Sequence, residues 1–97
     1  MKRYSVRFSD DATTEFASSV QWGRETWGEE EAWRWYADIR NAIRDLLSTF
    51  PLSQPIAPDD GQYNVEVRQM LVGRYRVLFN ITGSVVTVLH LRGPYSG

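Results

Sequence analysis

Residues 73–92 read Gly73-Arg74-Tyr75-Arg76-Val77-Leu78-Phe79-Asn80-Ile81-Thr82-Gly83-Ser84-Val85-Val86-Thr87-Val88-Leu89-His90-Leu91-Arg92, and this stretch decides the fold. Over residues 74–82, apolar residues alternate with polar ones at the period of a strand that buries one face. Tyr75, Val77, Phe79 and Ile81 take the inward parity, which turns Arg74, Arg76 and Asn80 outward. Gly83 marks a tight turn, and residues 84–91 return as a second strand, apolar on both parities. A two-residue loop would put Val86, Val88, His90 and Arg92 inward. One more loop residue would put them outward beside Arg76, and the sequence is compatible with either register.

Working back from this hairpin, residues 63–70 form a third strand joined through Leu71-Val72-Gly73, with Tyr63, Val65 and Val67 inward and Asn64, Glu66 and Arg68 outward. Residues 51–62 hold three of the four prolines and read as a loop. Ahead of Pro51, Ala32, Trp35, Tyr36, Ile39, Ile43, Leu46, Leu47 and Phe50 recur at helical spacing, and Glu29, Glu30 and Glu31 load the first turn, where the helix dipole favours acids. Trp33 lies about 100° from the centre of that stripe, at its flank. An earlier helix begins at a Ser9 cap with Asp10 and Asp11. It carries Ala12, Phe16, Val20 and Trp27 to a stop at Gly28, and Trp22 and Trp27 are expected inside the helical hairpin. Tyr4, Val6 and Phe8 alternate in an opening strand. The order β-α-α-β-β-β predicts one α+β domain over residues 1–97, an antiparallel sheet with a helical hairpin packed on one face.

Composition narrows the chemistry. The chain has 97 residues, 42% of them hydrophobic, with four Trp, enough for one core without staples. The absence of Cys excludes disulfides, thiolate metal sites and a cysteine nucleophile, and His90 as the single His excludes any site needing two imidazoles. No metal and no cofactor is expected. His90, between Leu89 and Leu91, reads as a structural histidine of the sheet. No apolar run approaches the ~20 residues of a membrane span, and Met1-Lys2-Arg3 leads directly into the alternating strand. A cytoplasmic protein that neither enters nor crosses a membrane is expected.

Charge is distributed unevenly: residues 1–9 sum to +3, residues 10–60 to −7, and residues 61–97 to +3. Ten of the eleven basic residues are Arg, whose planar fork suits carboxylate and phosphate. Arg68, Arg74, Arg76 and Arg92, with Tyr95 nearby, are positioned to converge on the sheet face away from the helices. Such a face could hold a phosphate backbone, bind an acidic protein segment, or simply be solvated. The formal net charge of −1 argues against strong non-specific nucleic-acid affinity.

The succession Val67-Arg68, Gly73-Arg74-Tyr75-Arg76-Val77-Leu78-Phe79 and Val85-Val86-Thr87-Val88-Leu89-His90-Leu91-Arg92-Gly93, after a Ser9-Asp10-Asp11-Ala12 helix start and a long helix ending in Leu46-Leu47, resembles the RelE/ParE toxins of bacterial type II toxin–antitoxin systems. The resemblance spans almost the whole chain. It implies a growth-inhibiting toxin, of the kind associated with plasmid stabilization, that a cognate antitoxin neutralises by wrapping it as a toxin–antitoxin hetero-oligomer; a homodimer is the other assembly expected.

Two actions occur in the family. ParE-like members bind DNA gyrase and need no nuclease site, and the acidic pI near 5.7 and sparse basic set fit that branch. RelE-like members cleave mRNA on the ribosome. In that case Arg76, Arg92 and Tyr95 would stand for the catalytic set, while Asn64 and Glu66 occupy the positions of the RelE-type lysines and Pro94 that of a histidine present in some relatives. A non-toxic protein-interaction module is the third reading. For a protein partner, Trp33, Arg68, Arg74 and Arg76 are the expected contacts, the arginines meeting an acidic antitoxin segment.

Overall fold

A computed structural model describes residues 2–93; Tyr95 lies outside them. Strand β1 (Ser5–Phe8) leads into helix α1 (Asp10–Thr26) and helix α2 (Glu29–Leu47). After short 3₁₀ turns at Pro51–Ser53 and Asp60–Gln62 come β2 (Arg68–Val72), β3 (Tyr75–Thr82) and β4 (Val85–Arg92). The sheet order is β1-β4-β3-β2. The expected α+β order of elements is present, but the sheet is mixed rather than purely antiparallel: β1 runs parallel to β4, with Val6 opposite Val86 and Phe8 opposite Val88. The two intervening helices carry the chain across one face, so β4 can return beside β1 in the same direction.

Local chemistry sets the element ends. The Ser9 side chain accepts a hydrogen bond from the Ala12 N–H at 3.1 Å and donates to the Leu89 carbonyl at 2.9 Å, which caps α1 and ties its start to β4. Gly28 joins the helices at φ 98°, a backbone conformation that side chains resist, so the hairpin is closed by Trp27 and Gly28 alone. Between the helices and the sheet lies the main core: Ala12 and Phe16 from α1; Ile39, Ile43 and Leu47 from α2; Met70, Tyr75, Val77, Phe79, Val86, Val88 and Leu91 from the sheet. Phe50, placed in the α2 stripe on spacing, stands exposed because the helix ends at Leu47. Trp22 is half-buried and Trp27 exposed rather than central.

The register of β4 resolves in two halves. Val86 and Val88 face the helices opposite Ile81 and Phe79, as a two-residue loop requires; the ladder then slips by one residue, pairing Leu78 with His90, Val77 with Leu91 and Arg76 with Arg92. The extra residue is Leu89, and this bulge turns His90 and Arg92 to the opposite face while Leu91 enters the core.

The third strand departs most from expectation. It begins at Arg68, not residue 63, because the backbone before it is already engaged. The Val67 N–H donates to Asp60 Oδ1 at 2.6 Å, the Val67 carbonyl accepts from the Ala57 N–H, and Ile56 bridges to Arg68. The loop so closed lays Ala57, Val67 and Tyr63 over Leu78 and Leu89 as a second, smaller core. The sheet face away from the helices is therefore partly covered by the chain's own residues.

Candidate partner-binding surface

The sheet-side arginines have partners within the chain. Arg76 and Arg92 stand opposite each other on adjacent strands, on the face away from the helices. Arg76 donates from Nε to Gln69 Oε1 at 2.9 Å and from a terminal nitrogen to Asp59 Oδ1 at 2.8 Å. That hydrogen bond holds the Asp59 carboxyl below its usual range, since it favours the charged form. Arg92 pairs with Glu15 of α1, whose other oxygen accepts from the Leu91 N–H and meets His90 Nδ1, both at 3.1 Å. Because β1 ends at Phe8, it leaves this stretch of β4 without a neighbouring strand, and the Glu15 carboxylate takes the edge position instead.

Arg68 does not join them. It lies opposite Phe79, on the helix-side parity, where its guanidinium donates to the Gln54 carbonyl at 2.6 Å and approaches Glu66 at 3.3 Å. Arg74 is exposed in the β2–β3 turn. The convergent basic face expected from the sequence is thus reduced to the Arg76–Arg92 pair, and acids of the same chain sit on both.

A different surface gathers aromatics and cations without acids. Between α1 and α2 opens a groove of about 460 Å³, lined by Phe8, Phe16, Val20, Trp33, Tyr36 and Arg40 among others, with no Asp or Glu in its wall. Phe16 stands edge-on to both Phe8 and Tyr36, at 5.7 and 5.9 Å between ring centroids, and Trp33 stands edge-on to Tyr36 at 5.6 Å. Trp33, at the rim, is 48% exposed. Arg40 lies 5.8 Å from the Phe8 ring centre and donates to the Tyr36 hydroxyl at 3.2 Å; Arg44 lies 5.5 Å from the same Phe8 ring. Among the described residues, neither Arg40 nor Arg44 has an ion pair, nor do Arg3 and Arg7 near the same edge of the sheet.

Of the expected contacts, only Trp33 belongs to this groove. Arg40, in the groove wall, and Arg44, beside its Phe8, are not among the expected contacts, although Trp33, Tyr36, Arg40 and Arg44 follow one helical row at spacings of three and four.

Solved structures that share this architecture include two from toxin–antitoxin systems. A chain of the chromosomal ParDE TA system from P. aeruginosa superposes with a TM-score of 0.76 at 17% identity, covering 94% of this chain and 96% of its own. A chain of the toxin–antitoxin complex RelBE2 from Mycobacterium tuberculosis superposes with a TM-score of 0.68 at 20% identity, covering 99% and 97%. No family model matches the sequence, and no curated protein matches it significantly. The fold is the RelE/ParE-like α+β fold, and it is present over essentially the full length of the described chain.

Proposed function

We propose that the protein is the toxin component of a bacterial type II toxin–antitoxin system, that it inhibits growth by binding DNA gyrase, and that a cognate antitoxin neutralises it. Both structures named above come from toxin–antitoxin systems, which supports the general reading. The observation that carries the choice of a binding action is the distribution of free cations. Phosphodiester cleavage needs guanidinium groups available to a phosphate. Here Arg76 and Arg92 are occupied by Asp59 and Glu15, whereas Arg40 and Arg44 flank an acid-free aromatic groove with the composition of a protein interface. An antitoxin segment with apolar anchors and acidic flanks suits that groove, with Trp33 as its contact at the rim and Arg74 as a contact at the far turn.

The mRNA endoribonuclease reading keeps one support, the direct opposition of Arg76 and Arg92 on one face. Gyrase supercoiling and ribosomal A-site cleavage assays on the purified protein separate the two. Inhibition of supercoiling without codon-dependent cleavage is expected; cleavage with gyrase unaffected reverses the assignment. Normal growth on strong induction without the neighbouring gene would leave only an interaction module.

A further inference from the structure

Helix α2 has a second working face, opposite in charge to the groove. Trp33, Tyr36 and Arg40 look toward α1, while Glu31, Arg34, Trp35 and Asp38 line a separate hollow of about 510 Å³ closed at one end by Trp27. The Trp27 and Trp35 rings lie 6.5 Å apart and are tilted by 59°, so they form two walls and not a stack. Each wall is braced from behind: Trp22 meets Trp27 edge-on at 5.2 Å, and Tyr75 of the sheet meets Trp35 at 5.1 Å. Gly23 lets the Trp27 indole lie close against α1, since a β-carbon there would come within 3.0 Å of the ring.

The carboxylates beside these walls differ. Glu31 is bound at 2.5 Å to Arg34, which also reaches Glu30 at 3.3 Å. Asp38, two turns further along the same face, has no ion pair among the described residues. Braced indole faces beside an uncompensated carboxylate attract a cation twice, through the negative ring face and through the full charge. Among protein cations, guanidinium fits best: its plane stacks on an indole while its fork donates to a carboxylate.

We propose that this hollow receives one arginine side chain from a basic segment of a protein partner, its guanidinium stacked on the Trp27–Trp35 walls and hydrogen-bonded to Asp38. The site is independent of the reading above. It makes α2 a two-sided element, able to hold an acidic segment in the groove and a basic one in the hollow.

N-acetyl-arginine methylamide, titrated into the full chain labelled for NMR, tests this. Saturable shifts are expected at the Trp27 and Trp35 indole N–H signals and the Asp38 amide, with a dissociation constant in the millimolar range, and Asp38→Asn should weaken binding at least threefold. The lysine analogue should bind more weakly. Asp38 is exposed, so the variant keeps its fold, which its unchanged spectrum will report. Shifts without saturation, or equal binding by Asp38→Asn, overturn the proposal. Undiminished binding of tetramethylammonium by that variant would identify an aromatic cage for quaternary ammonium and would overturn the arginine assignment too.

Discussion

Two sets of arginines serve different ends in this molecule. Arg76 and Arg92 are held by Asp59 and Glu15, groups distant in sequence, and each pair links a covering element to the sheet: Asp59 belongs to the loop over one face, Glu15 to the helix along one edge. Arg40 and Arg44 lie against the ring faces of Phe8 and Tyr36, and Arg40 also donates to the Tyr36 hydroxyl; these contacts orient a guanidinium without neutralising it. A cation whose charge is answered inside the chain contributes to the fold; one left unanswered beside an apolar groove is available to a partner. Local sequence does not distinguish them, since none of the four arginines has its acidic partner, or the lack of one, written in its own segment. What separates them is where the acids come to rest once the chain folds.

The sharpest break in that contrast comes from Glu15. Glu15→Ala removes the acceptor of the Leu91 N–H and the partner of Arg92 and His90 together, in a half-buried position. An unfolding free energy lower by about 2–3 kcal/mol is expected, equivalent to roughly 10 °C or more in melting temperature for a domain of this size. Thermal unfolding followed by circular dichroism measures it. A change below 2 °C would mean that Glu15 does not hold the edge of β4.

The groove arginines should behave in the opposite way. Arg40→Ala with Arg44→Ala is expected to leave the melting temperature within a few degrees, while affinity for the proposed antitoxin falls by about 2 kcal/mol, roughly 30-fold. The loss should shrink at high salt, as unpaired surface charges are screened. Calorimetric titration at two ionic strengths checks both parts. Trp33→Ala should cost about 1–2 kcal/mol of the same affinity with no salt dependence, because an exposed indole contributes through contact area.

Much of the fold was readable because its signals are local. The Ser9 cap, the α2 stripe through Ile39 and Ile43, and the inward parity of Tyr75, Val77 and Phe79 all follow from spacing and side-chain chemistry within a few residues. The departures arose where distant groups decide. Residues 63–67 alternate like a strand, yet Asp60 and Ala57 capture the backbone of Val67. The face of His90 and Arg92 depends on the bulge at Leu89, which lets Leu78 and Leu89 face the small second core while Leu91 stays in the main one. For the site, Trp33 was legible from its angle on the helical wheel. The pairing of Arg76 and Arg92 was not, because Asp59 and Glu15 lie 17 and 77 residues away along the chain.

A smaller effect tests the Arg76 side of the contrast. Arg76→Ala is expected to change stability by only about 0.5–1 kcal/mol, since the pair with Asp59 is partly exposed, and to leave affinity for the proposed antitoxin near that of the unmodified chain. An affinity loss matching that of the groove variants would return the partner site to the sheet.

The smallest expected effect is a change of slope with pH. Arg76 lowers the Asp59 pKa in the folded chain, so the folded state binds this proton less readily than the unfolded state. The resulting stabilisation is fully present above the ordinary carboxylate range and is lost as pH falls through the depressed folded value. Asp59→Asn keeps an oxygen that accepts from Arg76 but removes the titration. Melting temperatures measured from pH 5 downward should therefore fall less steeply for Asp59→Asn than for the unmodified chain, with the two curves converging once the pH lies below the depressed folded value. Arg76→Ala should flatten the same limb, because it removes the largest cause of the lowered Asp59 pKa. If all three curves run parallel, the Asp59–Arg76 contact contributes nothing in solution, and Arg76 joins Arg40 and Arg44 as a cation available to a partner.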